Sequence, residues 1–377
     1  MNVNRREFLA LSTAAAAALY GGLKTEAGEP RPSRKPGKPE PDATAWHDVQ
    51  GWGLEGRGWS QAERFFDRLP AKAKGKVRDA VWDLSRHSAG MCARFETDAT
   101  AIRARYTLTS SGLAMPHMPA TGVSGLDLYA QDSAGRWRWL AAARPDHGPK
   151  LEVGLIDGIE PGRRAYMLYL PLYNGVESLE IGVPARAYFK PLPPRSQRPI
   201  VFYGTSITHG GCASRPGMAY PAILGRRLDR PTVNLGFSGN GTMDPEVGAL
   251  LAELDAAVYV IDCLPNMSAA MVAERTEPLV RQLRTARPKV PIVLVEDRTY
   301  ANAPLVPGHR QRHAASRAAL RTAYDRLQAA GVKGLLYVEG EGLLGTDGEA
   351  TVDASHPTDL GMLRMADALE PILRPLL

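Results

Sequence analysis

Between residues 45 and 192 polar and apolar side chains alternate in short runs: "ARFETD", "AIRARYTL", "GLDLYAQD", "RWRWLAAA", "RAYMLYLPLY" and "SLEIGV". Clusters of Gly, Pro, Asp and Ser separate them. A period of two turns one face of each run to a core and the other to water, which predicts antiparallel strands and an all-β sandwich domain. "RFFDRLPAKAKGKVRDAVWDLSRH" interrupts the pattern and predicts a turn or two of helix before the sheet. "KPLPPRSQRP", residues 190–199, reads as a linker, because prolines at this density do not continue a strand ladder.

Beyond it the pattern changes. Nearly continuous apolar runs ("PIVFYG", "PTVNLG", "AAVYVID", "VPIVLVED", "VKGLLYVEG") alternate with helix-length segments at 244–254, 269–287 and 310–330. Strands apolar on both faces, each followed by a helix, predict an α/β domain over residues 198–377 with a parallel sheet covered on both sides.

The amino-terminal segment reads differently. "NRREFLALSTAAAAAL" sets Arg5 and Arg6 before a small-residue apolar run too short to span a bilayer comfortably. Residues 1–27 therefore resemble a twin-arginine export signal, and the expected location is periplasmic or extracellular, with no stable membrane insertion after cleavage. Residues 28–44, "GEPRPSRKPGKPEPDAT", are expected to form a proline-rich linker.

Composition narrows the function. A hydrophobic content of 44% supplies packed cores and argues against a disordered binding protein. The net charge of +6 looks like a nucleic-acid hint, but residues 1–40 hold seven Lys/Arg against four Glu, and the body is close to balance. With no basic stripe interleaved with aromatics, no nucleic-acid partner is expected. Cys92, Cys212 and Cys263 have neither metal nor redox spacing.

In an open parallel sheet, ligands gather beyond the carboxyl ends of the strands. There the chain offers "GTSITHG", "NLGFSGNG", "DCLPNMS" and, before the last helix, "DASHPTDLG". Ser206 alone fits a turn or a helix N-cap better than a nucleophile, and it lacks the second glycine of a Gly-x-Ser-x-Gly elbow. "DASH" changes the balance. Asp353 and His356 lie three residues apart, so one turn of chain brings the carboxylate to one imidazole nitrogen and leaves the other free for a hydroxyl. Asp353 also fits a helix cap, with Pro357 as a first-turn residue. Gly239 can present a backbone N–H and Asn266 a carboxamide to a developing oxyanion.

In this order, Ser, Gly, Asn, then Asp-x-x-His, the four blocks resemble the SGNH hydrolase superfamily, the GDSL-type esterases. The resemblance implies a flavodoxin-like parallel sheet with flanking helices. It implies Ser206 as nucleophile, His356 as general base and then acid, and Asp353 as its orienter. The Ser206 backbone N–H, Gly239 and Asn266 would form the oxyanion hole, and no cofactor or metal is implied. "GTS" departs from the family's Gly-Asp-Ser at Thr205. "GVSGLDLYAQ" resembles the Gly-x-Asp-Leu-Tyr signature of β-sandwich domains preceding such hydrolases, and "VEDRTYAN" resembles the same subgroup. Similar two-domain layouts occur in carbohydrate acetylesterases.

The expected function is thus an exported serine esterase removing acetyl from a carbohydrate or similar small-molecule polyol. A lipase acting on long acyl chains is the same-class alternative, and a non-catalytic carbohydrate-binding protein the alternative of another class. Asp127 and Tyr129 are expected to be structural, on opposite faces of one strand. His209 is expected in a substrate loop or at the surface. His309 and His313, four apart on a helix, have metal-ligand spacing but no third ligand. Trp52, Trp59, Trp137 and Trp139 are candidates for sugar stacking or for core packing.

Overall fold

A computed structural model describes residues 43–377. The expected signal and nearly all of the first linker lie outside the described residues. The alternating region forms strands β1 (Thr44–Asp48), β2 (Cys92–Thr97), β3 (Ala101–Leu108), β4 (Asp127–Gln131), β5 (Trp137–Ala142), β6 (Lys150–Asp157), β7 (Arg164–Tyr169), β8 (Val176–Pro184) and β9 (Phe189–Leu192), with short helices α1 (Asp79–Ser85) and α2 (Ala120–Val123). The strands pair antiparallel in two sheets, ordered β1-β8-β3-β6 and β5-β4-β7-β2-β9. Ile102, Ala104, Leu179 and Ile181 of the first sheet share one apolar cluster with Phe95, Leu128, Tyr166 and Leu168 of the second, giving a sandwich-like packing of two half-buried faces.

β9 corrects the linker expectation, because Pro191 sits inside it. Among the described residues the strand lies at the sheet's edge beside β2, and an edge is where a proline's missing N–H is tolerated.

The second region forms β10 (Ile200–Gly204), α3 (Ser206–His209), α4 (Tyr220–Arg227), β11 (Thr232–Gly236), α5 (Pro245–Glu253), β12 (Val258–Asp262), α6 (Ala269–Ala286), β13 (Ile292–Val295), α7 (Pro307–Ala329), β14 (Leu335–Val338) and α8 (Asp359–Leu373). The five strands are parallel in the order β11-β10-β12-β13-β14, the flavodoxin-like arrangement. β10 divides its side chains between the two faces: Val201 and Tyr203 pack with α5 and α6, and Ile200 and Phe202 pack with α4 and α8. Two separate cores result, one on each side of the sheet.

The antiparallel and parallel regions are joined through buried polar groups. Arg68, 2% exposed, donates to the carbonyls of Asn234 (3.2 Å) and Gly236 (2.7 Å) at the end of β11, and to those of Leu84 and His87. Burial lowers its pKa to about 9, against the pull of Tyr173 and Asp67.

Candidate active site

β10 is buried along its whole length and delivers Thr205 and Ser206 to the sheet's carboxyl edge. The chain turns at once into α3, with Ser206 as its first residue and Thr205 as its N-cap. Thr205 Oγ1 accepts from Ile207 N at 3.3 Å, so the residue replacing the family's aspartate supplies a side-chain oxygen for the cap.

From the far end of the domain, the loop before α8 brings in the imidazole. Ser206 Oγ lies 2.8 Å from His356 Nε2, and His356 Nδ1 lies 2.7 Å from Asp353 Oδ2. The other carboxylate oxygen, Oδ1, accepts from the backbone N–H groups of Ser355 (3.0 Å) and His356 (2.7 Å). Burial works to raise the Asp353 pKa, but these donors and the imidazole outweigh it and hold the carboxyl below its ordinary value. An ionised Asp353 keeps the imidazole proton on Nδ1, which leaves Nε2 as an acceptor for the serine hydroxyl. Asp353 does not cap a helix: α8 starts at Asp359 after Thr358, and Asp353 braces the turn that carries His356.

The loops bearing Gly239 and Asn266 meet above β10 through Gly241, which sequence reading passed over. A Cβ on Gly241 would fall 2.1 Å from Gly204 O and 2.9 Å from Thr205 N, so only glycine lets this loop lie on the chain entering Ser206. Gly241 N donates to Asn266 Oδ1 at 3.2 Å, which turns the amide's NH2 away from that contact. Gly239, at φ +69° and exposed, has open space around it. Arg312 Nη2 donates to Pro265 O at 2.7 Å and holds the Asn266 loop from the α7 side. The loops that carry Gly239 and Asn266 thus meet over the chain that delivers a hydroxyl bonded to an imidazole, and such a hydroxyl is able to carry acyl transfer.

Beneath α3 lies an ion pair buried on both sides. Asp262 Oδ1 meets Arg298 Nη2 at 2.5 Å, while Asp262 Oδ2 accepts from Thr208 Oγ1 (3.2 Å) and Tyr220 OH (3.0 Å). Burial pushes the Asp262 carboxyl up, against Arg298. Replacing Arg298 with methionine would strand this charge. The expected loss of stability is about 3–5 kcal/mol, read as a shift in denaturant midpoint.

The antiparallel region reaches the same helix. Asp127 and Tyr129 face one side of β4, correcting the expectation of opposite faces, since a period of two sets residues i and i+2 together. Arg215 Nη1 bonds Asp127 Oδ2 (2.9 Å) and Tyr129 OH (2.5 Å), and Gly217 N donates to Asp127 Oδ2 at 2.7 Å. The signature therefore holds the loop between α3 and α4. Tyr173 OH donates to Ser206 O at 3.1 Å.

His209 is wholly buried, which corrects its assignment to a substrate loop or the surface. It stacks on Tyr173 at 4.2 Å, and burial together with Arg68 and His87 holds its pKa well below the ordinary value. His309 Nδ1 lies 2.7 Å from Asn302 Oδ1, and His313 Nε2 accepts from Tyr300 N at 3.1 Å, so both brace the loop after β13. Trp52, Trp59 and Trp139 donate to Arg94 O, Glu253 and Asp127 respectively; Trp139 is 52% exposed, and Trp137 packs against buried Tyr129 and Tyr169. Among the described residues no group of three His, Cys, Asp or Glu has metal-binding geometry, and no helix is long and apolar enough to cross a membrane.

Residues 197–374 match the GDSL-like lipase/acylhydrolase family, and residues 44–189 match the GxDLY family, the N-terminus of SGNH-hydrolase-type esterases. No curated protein matches the sequence significantly. Among solved structures, a Bacteroides ovatus protein classed as a GDSL-like lipase is 33% identical, covering 89% of this chain and 98% of its own, with a TM-score of 0.84. The salicylyl-acyltransferase SsfX3 of a tetracycline biosynthetic pathway is 18% identical over 90% of this chain and 98% of its own, with a TM-score of 0.70. An acetyl xylan esterase from the rumen bacterium Butyrivibrio proteoclasticus is 11% identical over 88% and 98%, with a TM-score of 0.55. These last two share the fold. The chain belongs to the GDSL-like lipase/acylhydrolase family of SGNH hydrolases and carries the GxDLY amino-terminal domain of that family's esterases.

Proposed function

We propose that this chain is an exported serine esterase that removes acetyl groups from a carbohydrate or similar polyol. One observation carries the reading: the unbroken line from Ser206 Oγ through His356 to Asp353, with separations of 2.8 and 2.7 Å. His356 Nε2 takes the hydroxyl proton as Ser206 Oγ bonds to the acyl carbon. The oxyanion accepts from the Ser206 and Gly239 N–H groups and the Asn266 amide. Collapse expels the alcohol, which receives the proton held on Nε2, and a water repeats the sequence to release acetate. The acetyl and carbohydrate assignments lean on the family and on the fold shared with carbohydrate esterases. Export leans on the Arg5-Arg6 motif.

Asn266→Ala is expected to lower kcat about 10²- to 10³-fold with little change in KM, because its amide works on charge that appears only in the transition state. Steady-state kinetics on p-nitrophenyl acetate checks this. The function itself is tested by acetate release from acetylated xylan, pectin and chitin fragments, alongside p-nitrophenyl esters from acetate to decanoate. The reading requires acetate release from at least one glycan and rates that fall with chain length. Rates that rise towards decanoate would move the assignment to a lipase.

A further inference from the structure

The antiparallel domain places a side chain of its own beside His356. Between β3 and α2 the chain forms a tight hairpin in which Met115 N donates to Met118 O (2.9 Å) and Met118 N to Met115 O (3.1 Å). Met118, 2% exposed, is buried in the core formed by Ile207, Ala213 and Met218 of the parallel domain, and Met115 packs against the same core. The two methionines anchor the hairpin in the neighbouring domain and leave its tip, Pro116 and His117, exposed. The His117 ring lies 6.0 Å from the His356 ring, centre to centre, at an angle of 57°.

The approach direction gives this residue a role. Phe237, Leu264 and Met267, which flank the Gly239 and Asn266 loops, belong to the core on one face of the parallel sheet. Met118 belongs to the core on the other face. An acyl carbonyl turned towards the Gly239 and Asn266 donors therefore leaves the rest of the ester towards the His117 side. The leaving alcohol takes its proton from His356 Nε2, so it must lie beside that imidazole. We propose that His117 is a specificity-determining residue supplied by the amino-terminal domain. Its ring hydrogen-bonds a hydroxyl on the alcohol half of a polyol ester, next to the oxygen that departs.

This inference rests on the esterase reading and adds the alcohol side to it. Full-length wild type, His117→Ala and His117→Gln are compared on acetylated xylo-oligosaccharides and on p-nitrophenyl acetate, whose leaving group has no neighbouring hydroxyl. The expected result is a fall in kcat/KM for His117→Ala that is about tenfold larger on the sugar ester than on the aryl ester, the size of one lost hydrogen bond. His117→Gln, which retains a donor and an acceptor, recovers part of the loss, and melting temperatures stay together because the tip is exposed. Equal losses on both substrates, or none on either, overturn the proposal and leave the esterase reading standing. If wild type cleaves p-nitrophenyl acetate through Ser206 but no sugar ester, the polyol assignment fails and the role of His117 fails with it.

Discussion

Ser206→Ala is expected to abolish esterase activity, with kcat on p-nitrophenyl acetate falling on the order of 10⁵-fold or more. The variant loses the atom that forms the acyl-enzyme, and the remaining donors have no covalent intermediate to stabilise. Its fold should survive. Ser206 is 6% exposed, and its hydroxyl has its hydrogen bond with His356, so alanine opens no apolar void. The helix cap belongs to Thr205 and is untouched. Activity within tenfold of wild type in protein of unchanged melting temperature would remove Ser206 from the chemistry.

Asp353→Asn is expected to cost about 10³- to 10⁴-fold in kcat while leaving the local fold in place. An asparagine Oδ1 still accepts from the Ser355 and His356 N–H groups, so the turn that carries the imidazole keeps its braces. What changes is the group facing Nδ1. An amide NH2 donates where the carboxylate accepted, which moves the imidazole proton to Nε2 and turns it against the serine hydroxyl. The charge that steadies the imidazolium is also gone. Kinetics on an acetate ester, read beside the melting temperature, separates this from unfolding; a loss under tenfold would show that the tautomer is set elsewhere.

The chain states its parallel domain openly. Runs such as Ile200–Gly204 and Val258–Asp262 are apolar at nearly every position because both faces are covered, and this pattern cannot be confused with a half-exposed strand. The polar blocks stand out by contrast, because each follows such a run. β6 and β9 were harder to read. Lys150–Asp157 carries charge at its ends and glycine within, and Phe189–Leu192 contains a proline that only an edge tolerates.

The contacts between the two domains were the least legible. His209 looks like a loop residue because glycines follow it, yet its burial is created by Arg68, Tyr173 and His87, which arrive from more than thirty positions away or further. His117 shows no signal of its own, since its place beside His356 depends on two methionines finding a core in another domain. The i, i+2 spacing of Asp127 and Tyr129, by contrast, was a usable signal. It sets both side chains on one face, and a partner such as Arg215 follows from the buried charge.

The central claim is that the Ser206 hydroxyl is made nucleophilic by His356. It is tested most directly by treating wild type and His356→Ala with a fluorophosphonate and locating the adduct by peptide mass spectrometry. Cys212 is a poor competitor, because burial and the charge of Asp353 push its thiol up to about 12. The expected result is one adduct per wild-type chain, on Ser206, formed at least a thousandfold more slowly in His356→Ala. An adduct on another residue, or labelling of Ser206 at an undiminished rate without the imidazole, would contradict it.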